Sequence, residues 1–525
     1  MRKPTGMDDR PEQLRPAIIK GVGVTETERY LANLAEKSFL NLWSYPSPYR
    51  DQKIGGNGAG DGKELCDLLV VCGDHIIIFS EKNIEWPNGD LNVAWGRWVK
   101  RAVVAAAKQA KGAERWIDEH PTRIFLDRDC KNSFPIDLPE PRKRKFHHVI
   151  VARGASDQCK KYLEAHSGSL LIQPSLKGDM NCLNDPSMIV PFAIGDVNPD
   201  GSYVHVLDDV SLDIVMQELD TIRDFTDYLR KKEEFVRSGR LKLAHGEENL
   251  LAYYATRIND DGDHDFVADD ASSTISIARE YYQNWVSNPQ YIAKKKADRV
   301  SYVWDKFITL FTEHMLDGTS ITLDDHKFEL RKNERGVRYM ALETRFKRRS
   351  HGEAIIGALE RGTSEDAFFR MMLSPASTKD NETAFFIMMF KYQDWMEGKG
   401  GYEQYRRKRT ERAMIYAQGV LERYPHLSRI VGISREPPKQ GKGVSEDLIY
   451  GEQADWTDDE RRQIKEDCKK LGVLQGPLKM QHVAGDEYPE LNQIVIERPD
   501  ARKMAIPNRK QRRIQAAMTR AKRKT

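Results

Sequence analysis

No stretch of this 525-residue chain approaches the roughly 18 consecutive apolar residues of a membrane-crossing helix. Its first residues, M-R-K-P-T-G-M-D-D-R-P-E-Q, lack the apolar core of an export signal. The expectation is therefore a soluble, cytoplasmic protein without a membrane partner. Cysteine is sparse: six residues (Cys66, Cys72, Cys130, Cys159, Cys182, Cys468) are scattered with no C-x-x-C spacing. That pattern argues against a disulfide framework or a structural zinc site and fits a reducing compartment. Charge of one sign is also lacking, because the net of +3 is close to neutral and does not argue for a polyanionic partner at the level of the whole chain. The phosphate-binding G-x-x-x-x-G-K-[ST], the dinucleotide G-x-G-x-x-G after a strand, and the G-x-S-x-G nucleophile elbow are all missing.

What is present starts at Asp67. From there to Lys82 the chain reads D-L-L-V-V-C-G-D-H-I-I-I-F-S-E-K, two apolar runs around Gly73-Asp74. The runs are apolar enough for strands buried on both faces, and the Gly-Asp tip is a hairpin signal. On a strand, residues two apart share a face, so Ser80 and Lys82 point one way and Glu81 the other. With Asp67 opposite on the partner strand, a carboxylate and an ammonium meet at one spot. Phosphodiester hydrolysis uses such a pair: the acid holds a hard cation, and the lysine orients water and offsets developing charge. A buried ion pair closing a hairpin is the competing reading.

Upstream, residues 25–43 place Leu31, Leu34, Ser38, Phe39, Leu40 and Trp43 at helical spacing, with Thr25 or Thr27 as the cap. Glu36 precedes Phe39, Leu40 and Trp43 by three, four and seven residues, at the edge of the apolar stripe. Downstream, residues 95–117 form an Ala-rich helix bearing Arg97, Lys100, Arg101, Lys108, Gln109 and Lys111, and Phe146–Arg153 reads as another buried strand.

On these residues, the stretch from about 25 to 155 resembles the PD-(D/E)XK, or restriction-endonuclease-like, nucleases. The resemblance implies a mixed sheet flanked by helices. It also implies an Mg2+- or Mn2+-dependent endonuclease acting on nucleic acid, most naturally DNA, in bacterial defence or repair. Carried over residue by residue, it assigns the site to Glu36, Asp67 and Lys82, with Gln109 beside Lys108 assisting. The acid that the pattern places two residues before the lysine is Ser80 here, so the second carboxylate falls to Glu36, or to Glu81 through a bulge. Asp67, Glu36 and Glu81 are thus the expected metal ligands. The departure at Ser80 keeps a second function open: a nuclease-like fold without catalysis, serving as a nucleic-acid-binding or assembly module.

The remaining chain reads as a flexible segment 1–24, a nuclease-like domain 25–237, a mainly helical region 245–370, a second α/β domain 371–500 and a basic tail 501–525. The break is set at the Ser/Gly/charge-rich residues 238–248. Thr383–Lys391, the following basic helix and Ser428–Ser434 suggest strand, helix, strand. That half is where a second copy of the chain or an activating partner would dock. Asp208, Asp209 and Asp213 look like a metal cluster, but acids at a helix start are ordinary capping chemistry. The acid-rich residues 258–272 lack calcium-loop spacing. The tail carries ten Lys/Arg and no acid, a composition suited to polyanions.

Overall fold

The computed structural model describes residues 14–52, 62–165, 167–182, 190–267, 274–322, 328–362, 366–373, 382–438, 445–476 and 485–489. The basic tail and the end of the acid-rich stretch lie outside the described residues. The chain is mixed α/β, and no helix among the described residues is long and apolar enough to cross a membrane. It divides into two compact units, residues 18–292 and residues 1–17 with 293–525.

The 18–292 unit runs α1 (Glu26–Phe39), β1 (Ser44–Pro46), β2 (Tyr49–Asp51), β3 (Gly62–Glu64), β4 (Leu68–Cys72) and β5 (His75–Asn83). Then come α2 (Leu91–Val99), a π-helical turn over Lys100–Val104, α3 (Ala105–Glu119), β6 (Ile124–Phe125), β7 (Lys145–Arg153) and α4 (Ser156–Leu163). It continues with β8 (Leu171–Lys177), β9 (Ala193–Asp196), β10 (Val204–Leu207), α5 (Ser211–Glu218), α6 (Ile222–Arg237), β11 (Leu241–Ala244), α7 (Glu247–Ala255), β12 (Ile275–Ile277) and α8 (Tyr281–Val286). The main sheet has the order β1-β4-β5-β7-β10. Strands β1, β4 and β5 pair antiparallel in succession, whereas β5, β7 and β10 run parallel. A helical crossover of α2 and α3 explains that change of direction.

Why these strands form is plain from their burial. Every residue of β4 and the first seven of β5 are buried, as both-face coverage demands. The hairpin is tight, with Cys72 opposite His75 and Gly73 at φ 59°. Thr25 and Glu28 close a capping box on α1, which sets Phe39 against Phe79 and Phe225 with ring centroids 6.1 and 4.9 Å away. The other face of β5 meets α3. A second sheet, β12-β11-β8-β9, and a small one, β3-β2-β6, complete the unit. The expected break at 238–248 instead feeds β11, whose pairing with β8 and β12 ties it to the unit, and the chain divides at Ile292. Asp208 is a cap: its carboxylate accepts from the backbone N–H of Leu170, Val210 and Ser211 at 2.7 to 3.0 Å.

The second unit contains α9 (Pro289–Asp298, which begins just before the division), α10 (Tyr302–Leu316), α11 (Leu330–Ala341), α12 (Arg345–Arg361), β13 (Ala367–Leu373), β14 (Thr383–Phe390), α13 (Gly401–Arg423), β15 (Arg429–Arg435), β16 (Glu446–Glu452) and α14 (Asp458–Leu471). Its sheet is β13-β14-β15-β16, with β14 and β15 parallel across α13, the strand-helix-strand unit read from the sequence. Ala384, Phe386 and Met388 pack under Tyr405, Ala413, Tyr416 and Val420 of α13. Phe385 on the opposite face meets Trp304 and His351 with centroids about 5 Å apart. Arg409 is wholly buried and paired with Asp447 at 2.7 Å, which closes one end of this sheet.

Candidate active site

Asp67 immediately precedes β4 and lies opposite Ser80, so the hairpin register decides the site. Its Oδ2 accepts the backbone N–H of Glu81 at 2.5 Å and stands 3.8 Å from Lys82 Nζ. The Asp67 side chain is nearly buried, whereas Lys82 keeps 30 % of its side chain exposed. A buried carboxylate beside a half-open ammonium forms the floor and rim of a polar notch. Burial raises the Asp67 carboxyl above its ordinary range; the Lys82 charge and the Glu81 N–H offset part of the rise.

Strand parity places the neighbours as read. Ser80 is fully buried toward α3, and its hydroxyl donates to Gln109 Oε1 at 3.2 Å. Glu81 turns to the α1 face, where its Oε1 lies 3.2 Å from Arg153 Nε. Burial raises its pKa, opposed by the Thr27 hydroxyl and by Arg153. No bulge interrupts β5 there: its register with β7 is continuous from His75 to Asn83. Glu81 therefore does not enter the Asp67–Lys82 side, and the bulge that would have turned it inward is absent.

Glu36 is exposed near the end of α1. Its charge acts on Lys20, whose ammonium is buried against Asn41 and Ser44 and pushed down to about 7 by that burial, with Glu36 raising it. The start of α1 is what reaches the site, since Glu28 acts on Asp67 and Thr27 on Glu81. Eight residues of helix, about 12 Å, separate Glu36 from Glu28. Of Asp67, Glu36 and Glu81, only Asp67 stands beside Lys82.

One carboxylate went unread in the sequence. Glu64, at the end of β3, has a buried Oε1 with no hydrogen-bond partner among the described residues, next to a Ser47 hydroxyl in the same condition. Burial raises its pKa, the neighbouring Ser47 hydroxyl opposes the rise, the Asp67 and Glu28 charges raise it further, and Lys82 lowers it. No periodicity marks Glu64; only its place three residues before Asp67 hints at it.

Among the described residues, no three His, Cys, Asp or Glu side chains gather as a group able to hold a metal ion. A smaller donor set is present. Mg2+ commonly uses one or two carboxylates and completes its shell with water and substrate phosphate. Asp67 and Glu64, hard oxygen donors of which the second feels the charge of the first, are of the type that requirement asks for. The chain matches no protein-family model, no curated protein and no solved structure.

Proposed function

We propose that the 18–292 unit is a restriction-endonuclease-like domain and that the protein is a divalent-metal-dependent nuclease cleaving phosphodiester bonds of DNA. The observation that carries this reading is the Asp67–Lys82 pair, 3.8 Å apart at the open end of the β4-β5 hairpin. The sheet order antiparallel hairpin, helical crossover, parallel strand supports it.

Asp67 and Glu64 would hold Mg2+ or Mn2+, which when bound supplies Lewis acidity toward the phosphoryl oxygen and acidifies water. The chain's own groups do the rest. Lys82 holds the attacking water through its ammonium and offsets charge that grows on the phosphate oxygens. The water oxygen bonds to phosphorus and gives up a proton to solvent, one bridging P–O bond breaks, and the leaving oxygen takes a proton from solvent. Gln109, held by Ser80, faces the same notch from α3. Arg153 clamps Glu81 on the far face and so fixes the end of β5 that carries Lys82.

Plasmid nicking with Mg2+ or Mn2+ tests the reading. Asp67→Ala, Lys82→Ala and Glu64→Gln should each lose cleavage while still melting cooperatively as folded proteins. Variants that cut as well as the parent would sink it. The buried Ser80 and the absence, among the described residues, of a three-acid group favour a second reading, a binding module without catalysis. A parent chain inert with both metals that still binds DNA would establish that alternative.

A further inference from the structure

The crossover helix that presents Gln109 carries an unusual charge distribution. From Leu91 to Ala113, through α2, the π turn and the first nine residues of α3, there is no Asp or Glu; Glu114, Asp118 and Glu119 follow in the rest of α3. Arg97, Lys100, Arg101, Lys108, Lys111 and Arg115 are all exposed along it. Among the described residues, none of these six side chains makes a hydrogen bond or an ion pair. The contrast with α6 is informative. There Arg223, Arg230 and Arg237 are each neutralised one turn on, by Asp227, Glu234 and, in the reverse sense, Glu233, at 2.6 to 2.8 Å. The three arginines of α6 are thus paired, and those of the crossover helix are not. Asp179 is the acid beside the Lys100 and Lys108 charges, through their common neighbour Cys182, and Glu114 is the acid on which the Lys111 charge acts.

We infer that this helix face is the docking surface for the sugar-phosphate backbone of duplex DNA, gripped without regard to sequence; the inference rests on the nuclease reading for the choice of nucleic acid. Arg97 to Arg115 spans 18 residues, about 27 Å of helix, which matches roughly eight base-pair steps at 3.4 Å. Unpaired cations over that length release condensed counterions when phosphates replace solvent. Single strands are held on stacking platforms of exposed aromatic rings. Here Trp95 and Trp98 are buried, so the face offers charge without a platform and suits a duplex. Gln109, flanked by Lys108 and Lys111 and bonded to Ser80, joins the face to the Asp67–Lys82 notch, so a backbone held there lies next to the scissile position.

The test is fluorescence anisotropy of the full-length protein with a labelled 30-base-pair DNA in EDTA, across a salt series. The variants are Arg97→Gln/Arg101→Gln/Lys108→Gln and, as a second set, Lys100→Gln/Lys111→Gln. All five positions are exposed, and thermal melting checks that each variant is folded. The slope of log K against log salt should fall by about 0.9 for each phosphate left without its cation, about 2.7 for the triple variant. Asp67→Asn should keep the parent's slope. An unchanged slope and affinity in both folded variants would overturn the proposal, as would tighter binding of single-stranded DNA or duplex RNA that both variants lose. A triple variant that loses binding while Asp67→Asn still cuts would leave the docking face standing and remove the catalytic reading instead.

Discussion

Glu248, in the first turn of α7, is a carboxylate whose environment opposes its charge. The side chain is 3 % exposed; Oε1 accepts from Ser167 Oγ at 2.7 Å and from Asn249 Nδ2 at 3.3 Å, and Oε2 is buried without a partner among the described residues. Burial, with the Asp208 charge adding, pushes its pKa from 4.5 up to about 7. The folded-state pKa is raised, so the stability linked to this group is fully present below the unfolded value of 4.5 and is lost as pH rises through 7. Between pH 5 and pH 8 that loss amounts to about 2 to 3 kcal/mol, at 1.36 kcal/mol per pKa unit. Glu248→Gln keeps the shape and removes the titration. It should match the parent at pH 5 and exceed it by about that amount at pH 8. Urea melts of both proteins at pH 5, 6, 7 and 8, followed by tryptophan fluorescence, measure the difference. Stability curves that stay parallel across the range would refute the reasoning.

Three further outcomes are expected. His75 and His147 stack with ring nitrogens 2.9 Å apart, and burial holds them down to about 2 and about 4. Their folded pKa values lie below the unfolded one, so stability falls as pH drops below about 6.5, by roughly 1.4 kcal/mol for each histidine at pH 5.5; His147→Phe should flatten this acid limb, and an unflattened limb in its urea melts would contradict the assignment. Ser80→Ala removes one hydrogen bond to Gln109 and should cost about 1 to 2 kcal/mol and less than about tenfold in cleavage rate, far less than Asp67→Ala; equal losses in a nicking assay would give Ser80 a direct role. Gly154 sits at φ 99° with any Cβ only 2.1 Å from the Ile84 carbonyl oxygen. Gly154→Ala should therefore destabilise by about 2 kcal/mol or more and loosen Arg153 from Glu81, and an unchanged melting temperature would disprove it.

The parts legible in the sequence were local and periodic. The Asp67–Lys82 hairpin, the split of Ser80 and Lys82 from Glu81, and the α1 stripe all follow from period 2 or 3.6 within a short window. The metal-ligand proposals went astray where that window ended. Glu36 belongs to the stripe's edge, but α1 enters the site by its other end, and only tertiary packing decides which end. Glu64 sits on a three-residue strand whose sheet, through β2 to the distant β6, leaves no repeating pattern to read. The extent of the first unit was hidden for a similar reason: residues 238–248 have a linker's composition, yet the strand they lead into pairs with β8, some seventy residues earlier. Short strands whose neighbours lie far away in the chain carry little local signal.

The π turn at Lys100–Val104 has a consequence for how this protein tolerates change. A π turn is a helix with one residue to spare, so everything beyond it is rotated about 100° from where an uninterrupted helix would place it. Gln109 meets Ser80 with that rotation in place. Regularising the turn with its residue count unchanged would swing Gln109 and the second half of the basic face away from the sheet together, whereas deleting one residue inside it, such as Ala102, would restore a regular helix and leave both in phase. The extra residue thus acts as a phase-setter, coupling the orientation of a single amide to that of a whole row of cations, and the two can be lost in one step though neither side chain has been altered.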